Sequence, residues 1–585
     1  MISRSWNCRL VPVLVVSLAS VAALAQPEGW PPILPLAEVR PGMIGEARTV
    51  FQGTTPEPFK LRVVSILRDF LPRQDIILVR AEDPRVEACG IAAGMSGSPV
   101  YIDGKLVGAI AYGWSFAKEP LAGVTPIEAM LAQRSRPDRP PDPYQSDAKL
   151  PSVDGLSDAS TPRLLPVGIP LAVAGASDAS LAYLDEQLHG SGLHPVRAGG
   201  VGRKRADSQV TPLLAPGSAL GVALIQGDMS TTAMGTLTYS DGKQVFAFGH
   251  SMFGIGAVKL PMVLGEINAI IPSLASSLKM SSPVAEIGSI TDDDKNGVVG
   301  VLGEVANKVP VEVRVQSQGK DKPPFSVELA RHRRLLPTLA TMAISTALSE
   351  AIPDVTDMVA DVTTRLFVRG FAPIVLDDQM FSNETLAPRV LAMSHGMHAL
   401  ADLLGNPFGP AIVDKIEILA KVEFRTATAT IVGLASSREK VRPGADLPLQ
   451  VTMRPYGGAE FVQTVMVKVP PSFAGKTVKI EVAGGSQAKP EVPRAEDLAG
   501  LVKNLRVYFP STTLVVSLAT RDDGASLRGR LIHDLPPSAL DTLRSVSLSR
   551  RAESMPMTKQ FPFPGSHILA GQKDVTVQVL SYPDK

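Results

Sequence analysis

Residues 94 to 114 read GMSGSPVYIDGKLVGAIAYGW, a serine among small residues followed by two apolar runs about an Asp-Gly turn. A serine hydroxyl is a weak nucleophile. Acyl transfer at Ser96 needs a base to take its proton, an acid residue to orient that base, and donors for the developing oxyanion. The stretch GMSGSP offers the donors: Gly94 and Gly97 allow a turn sharp enough for the Gly94 and Ser96 N–H groups to converge as an oxyanion hole. The bland reading of the same residues is a tight glycine turn ahead of a hairpin.

The base has to be a histidine, and the chain holds 8. His189 and His194 lie in the loop HGSGLH and His332 in the basic cluster RHRR, all three readable as solvated, and His533 and His567 lie in a variable-looking C-terminal tail. His395 and His398 share an expected helix, but no third ligand accompanies them, so a structural role is expected and no metal site. His250 differs. It ends the apolar run GTLTYSDGKQVFAFGH directly after Gly249, where a strand end projects a side chain into a cleft. The stretch GHSMFG imitates the Gly-x-Ser-x-Gly elbow of α/β-hydrolases, yet Gly254 stands one position too far from Ser251, and no strand–helix alternation surrounds it. That elbow is rejected.

The elements needed to hold Ser96 and His250 are short strands. Residues 36–131 contain KLRVVSIL, DIILVRA, PVYID and KLVGAIAY, rich in Val and Ile and broken by Gly, Pro and Asp, and end in a short helix, VTPIEAML. Residues 132–165 are polar and proline-rich and read as a linker. Residues 166–380 return to strands, among them ALGVALIQG and GVVGVLGEV, with helical additions at Ser177–Leu188 and at LPTLATMAISTALSEA. A helical connector is expected at 381–420, a β-sandwich-like domain at 421–485 from polar–apolar alternation, and a mixed α/β region at 486–585.

The N-terminus reads as a targeting segment. MISRSWNCR carries Arg4 and Arg9 without an acid, LVPVLVVSLASVAALA is apolar, and Ala23-Leu24-Ala25 has the small-x-small form of a cleavage site. Residues 1–25 are therefore expected to be removed on export to the periplasm or the extracellular space. Read as an anchor, the run is short for a bilayer. Of 2 cysteines, Cys8 lies in this segment, so Cys89 is left without an intramolecular partner and is expected to pack as a small apolar residue. Lys and Arg (58) nearly balance Asp and Glu (57), which argues against a nucleic-acid-binding surface.

Two blocks taken together resemble the SpoIVB family of serine peptidases, named for a sporulation signalling protease. One is Asp83-Pro84-Arg85 followed by GIAAGMSGSPVYIDGKLVGAIAYGWSFAKEPLAGVTPIEAML; the other is AMGTLTYSDGKQVFAFGHSMFGIG with the later GSITDDDKNGVVGVLGE. They cover roughly residues 36–131 and 210–315. The resemblance implies a mainly β, chymotrypsin-like double β-barrel with the site between the barrels. It makes Ser96 the nucleophile, His250 the general base and Asp83 the residue that orients it. Asp292, Asp293 and Asp294 are the alternatives to Asp83, though a charged hairpin turn is the role expected of them before that one. The serine block precedes the histidine block here, the reverse of the family's order, so the barrels are expected to be circularly permuted. No PDZ domain is evident, and the signalling role does not carry over.

The function expected is an exported serine endopeptidase acting on protein or peptide substrates, without cofactor, with the C-terminal sandwich serving substrate or a cell-envelope partner. Two other readings stand beside it. One is a non-catalytic envelope scaffold whose barrels only bind peptides; the other is a peptidase that processes only its own chain.

Overall fold

The computed structural model describes residues 32–114, 116–135, 164–199, 213–352, 356–383, 387–520, 524–527, 529–532, 537–543 and 553–581. The expected signal segment 1–25 and most of the linker 132–165 lie outside the described residues.

Polar–apolar alternation dictates the first barrel. Its strands are β1 (Ile44–Thr49), β2 (Glu57–Leu71), β3 (Gln74–Ala81), β4 (Pro99–Ile102), β5 (Lys105–Gly113) and β6 (Leu121–Pro126). Along β2, Phe59, Leu61 and Val63 turn inward while their neighbours face solvent, as a period of two requires. The strands bond in the order β4-β1-β2-β3-β6-β5, and a β4–β5 pairing closes the ring. Inside it lie Ala47, Phe59, Leu61, Val63, Ile77, Val79, Val100 and Val124. Asp103 and Gly104 sit at φ +50° and +74°, as a type I′ hairpin turn demands. Closure leaves no sheet edge to protect.

A short strand, β7 (Leu165–Pro166), extends the first sheet beside β5. Then come β8 (Ile169–Ala174), β9 (Leu193–Arg197), β10 (Ala219–Gly227), β11 (Ser230–Ser240), β12 (Gln244–Ala247), β13 (Gly256–Ile271), β14 (Leu278–Asp294) and β15 (Gly297–Leu302). Six of these close a second ring, β10-β13-β14-β15-β12-β11, through a β10–β11 pairing. The same sheet runs on past β10 through strands Phe325–Ala330, Lys308–Ser317, Val413–Glu423, Met358–Val368 and Ile374–Ser382. The helix Leu335–Ala351 is buried along most of its length in the adjoining core. The mainly β, barrel-based fold expected from the sequence is therefore the fold observed.

The β13–β14 hairpin is long enough to reach the first barrel. Gly53 and Ile267 exchange backbone hydrogen bonds, Ala93 N–H donates to the Ser277 carbonyl (2.7 Å), and Lys279 N–H donates to the Ala93 carbonyl (2.9 Å). The two rings thus meet along the loop that carries Ser96.

The C-terminal sandwich is built from non-local pairings. One sheet joins Thr428–Ser436, Asp446–Pro455 and Phe461–Lys468 with Ile568–Ala570; the other joins Lys440–Val441 and Thr477–Gly484 with Thr513–Ala519, Thr558–Pro564 and Gln572–Val579. They share a core including Leu447, Leu449, Val451, Val467, Ile480, Val516 and Leu518. Residues 421–485 and 486–585 therefore contribute to one sandwich, and the sequence division at 485 runs through its middle. Among the described residues, no helix is long and apolar enough to cross a membrane.

Candidate active site

The serine turn occupies the chain between α1 (Pro84–Cys89) and β4. Gly94 and Gly97 take φ +92° and +93°, a region closed to most side chains. At Gly97 space settles the matter as well: a Cβ would stand 1.9 Å from the Thr236 carbonyl oxygen and 2.5 Å from the Phe248 nitrogen. Gly97 N–H donates to the Ile110 carbonyl (2.7 Å) and Ile110 N–H to that of Ser98 (2.9 Å), fastening the turn to β5.

The second barrel supplies the rest of the support. On β11, the Thr236 hydroxyl donates to the Gly94 carbonyl (2.8 Å) and the Thr238 hydroxyl to that of Gly97 (2.8 Å), while Thr236 N–H donates to the Ser96 carbonyl (2.8 Å). Thr236 also accepts at its own carbonyl from Phe248 N–H (3.3 Å). One residue thereby ties the serine turn to the turn that follows β12, where Phe248 and Gly249 lie at φ +71° and +70° and lead into His250. The first barrel reciprocates: the Thr125 hydroxyl on β6 donates to the Gly249 carbonyl (2.7 Å), and Gly249 packs against Ala109 and Ala111. Sequence reading missed Thr236. Its signal was the spacing of Thr236 and Thr238, which places two hydroxyls on one face of a strand otherwise free to be apolar.

Ser96 is fully buried and its hydroxyl has no hydrogen-bond partner; His250 is 4% exposed and its Nε2 has none either. The other ring nitrogen, Nδ1, lies 2.8 Å from the Ser251 carbonyl oxygen. A carbonyl only accepts, so Nδ1 carries the proton, and Nε2 of the neutral ring presents a lone pair. Burial pushes the His250 pKa below its ordinary value against the opposing pull of the Ser251 and Val167 carbonyls, which keeps the ring neutral near pH 7. Leaving a buried polar atom unbonded costs about 1–3 kcal/mol. Two such atoms, the Ser96 hydroxyl and His250 Nε2, lie on turns that Thr236 ties together.

The expected oxyanion hole is altered. Gly94 N–H is spent on the Gly168 carbonyl (3.1 Å), because its positive φ aims the amide toward the strand entering the second barrel. The amides of 93, 95, 97 and 98 are bonded to carbonyls too, and among the described residues Ser96 has the one amide of this run without such a partner.

Asp83 is engaged elsewhere. Its carboxylate caps α1 by accepting from Arg85 N–H (2.9 Å) and pairs with the Arg85 guanidinium (3.1 Å), which holds its pKa below the usual range. It makes no hydrogen bond to His250, whose Nδ1 meets a peptide carbonyl where the family reading expects a carboxylate. Asp293, one of the alternatives, is fully buried beside the histidine turn and accepts from the amides of Met252 (2.7 Å), Phe253 (2.7 Å) and Gly254 (3.0 Å). Burial pushes its pKa up to about 6 against those bonds.

Lys279 is buried next to the serine turn, its stem against Gly94 and its Nζ 2.5 Å from the Thr49 hydroxyl; burial pushes its pKa down to about 7. Cys89 is half-buried, with its thiol pKa pushed up. His332, read as solvated, is buried and stacks on Phe253 with centroids 6.1 Å apart. His395 is paired with Asp378 (2.7 Å), and no cluster of metal-ligand residues occurs among the described residues.

Two barrels meeting at a glycine-rich serine turn are consistent with a β-barrel protease fold. Residues 31–131 match the family model described as SpoIVB peptidase S55. The matched span holds the whole first barrel with Ser96, so the resemblance to SpoIVB-type serine peptidases is shown there and supports a serine peptidase function; it does not extend to His250. No curated protein and no solved structure matches the chain.

Proposed function

We propose that the protein is an exported serine endopeptidase with Ser96 as nucleophile and His250 as general base. The Ser96 oxygen bonds to the scissile carbonyl carbon while its proton passes to His250 Nε2, and the Ser96 amide donates to the oxyanion. The tetrahedral intermediate collapses, the C–N bond breaks, and His250 returns the proton to the leaving amine. Water, deprotonated by His250, then hydrolyses the ester to release the carboxylate and restore Ser96. The observation that carries this reading is the pair of buried, unbonded atoms, Ser96 Oγ and His250 Nε2, on turns that Thr236 ties together. Export rests on the composition of residues 1–25.

Full burial of Ser96 favours a second reading, a non-catalytic scaffold, since no substrate carbonyl reaches the hydroxyl without movement of the surrounding loops. A fluorophosphonate probe on the mature protein decides between them. The peptidase reading expects labelling that is lost in Ser96→Ala and His250→Ala and kept in His332→Ala. A protein that stays unlabelled while control hydrolases react ends it.

A further inference from the structure

His250 and Asp293 are joined through one peptide group. The imidazole Nδ1–H donates to the Ser251 carbonyl at 2.8 Å, and the N–H on the other end of that same peptide unit, Met252 N–H, donates to Asp293 Oδ1 at 2.7 Å. A negative charge accepting from an amide N–H polarises the amide and makes its carbonyl oxygen a stronger acceptor, as in any hydrogen-bond chain in a low dielectric. The second carboxylate oxygen accepts from Phe253 and Gly254, so the turn carrying Ser251 has no freedom to swing its carbonyl away from the ring.

We propose that Asp293 is the orienting acid of this site, acting on His250 through the Ser251–Met252 peptide. It rests on the proposed roles of Ser96 and His250 and assigns Asp293 as a positioning residue. Asp293 touches neither substrate nor imidazole. Its carboxylate fixes the tautomer with the proton on Nδ1 and stabilises the imidazolium that forms when Nε2 takes the Ser96 proton, the task a directly bonded aspartate performs in other serine peptidases. The proton stays on Nδ1 throughout, and Asp293 stays ionised.

The surroundings leave few competitors for this role. Tyr112 stands 6.4 Å from the His250 ring, and His332, stacked on Phe253, is held neutral by a pKa pushed down to about 4 by burial and by Arg334. Asp292 and Asp294 flank Asp293 on β14 and fall on the opposite face of the strand. Asp83 is occupied by Arg85.

The test is a pH titration of the mature, full-length protein with ¹⁵N-labelled histidine. In the wild type, the His250 ring resonances are expected to shift in a step near pH 6 as Asp293 takes up a proton. Asp293→Asn removes that step, and Asp83→Asn keeps it. A step that survives Asp293→Asn, or no step in the wild type, overturns the proposal. If Asp293→Asn does not fold, wild-type amide exchange decides: protection at Met252, Phe253 and Gly254 rises as pH falls through about 6, since opening that turn returns the carboxyl to its ordinary pKa, while that at Met95, Gly97 and Ser98 holds. Equal protection at pH 7.5 and 4.5 overturns it. Neither readout needs activity, so an unlabelled Ser96 sinks the peptidase reading and leaves Asp293 still decidable. Where the probe does label, the Asp293→Asn rate is expected to drop at least tenfold at pH 7.5 and to lose its acid limb near pH 6.

Discussion

The serine turn and the histidine turn carry one partner each, yet they are held by different means. Around Ser96 every support is a neutral hydrogen bond, from Thr236, Thr238 and the backbone of β5. Around His250 neutral bonds from Thr125 and to Thr236 are joined by a buried carboxylate gathering three successive amides. Neutral bonds do not change between pH 4 and 8; a buried carboxylate does. The serine turn is thus held by neutral bonds, and the histidine turn by neutral bonds and a charge together. The second turn depends on an acid directly, whereas the first has only Lys279 beside it, its amine bonded to Thr49 and not to the turn.

The serine turn is most vulnerable at Gly97. Gly97→Ala forces a Cβ to 1.9 Å from the Thr236 oxygen at a positive φ, so we expect a loss of about 3 kcal/mol or more in thermal melts, with probe labelling abolished. Next comes the pH slope. A carboxyl whose pKa rises on folding, from 3.8 to about 6 for Asp293, takes up a proton as the chain folds. Its contribution to stability therefore grows as pH falls from about 6 toward 3.8, by on the order of 3 kcal/mol. Denaturant melts at pH 7.5 and 4.5 should show that slope in the wild type and its loss in Asp293→Asn; equal slopes refute the assignment of this charge. Thr236→Val keeps the shape of β11 and removes one hydroxyl, with about 1–2 kcal/mol expected from melts and labelling roughly tenfold slower. The smallest effect is expected at Asp83→Ala, about 1 kcal/mol for a lost helix cap, with labelling within about twofold of wild type. A collapse of labelling there would restore Asp83 to the site.

The barrels were legible because their signals are local. Alternation along β2 and the Asp103-Gly104 turn between β4 and β5 report short-range sterics that any reading of the chain picks up. Ser96 and His250 stood out for the same reason, each beside glycines that a side chain would spoil. The sandwich boundary failed because Ile568–Ala570 pairs with Thr428–Ser436, a contact without a local trace. Asp293 was visible only as one of three consecutive aspartates: alternation on β14 buries the middle one, but nothing nearby in the chain says what it meets there.

From sequence alone came the residue types that chemistry requires, a hydroxyl on a glycine turn and an imidazole at a strand end, since backbone conformation at those points is written in neighbouring residues. Tertiary structure decided which groups surround them. It spent the Gly94 amide on Gly168, gave Asp83 to Arg85, brought Thr236 between the two turns, and set Asp293 behind the Ser251–Met252 peptide. Hydrogen bonds reach about 3 Å and take no account of distance along the chain, so only the closing of two barrels against each other could choose those partners.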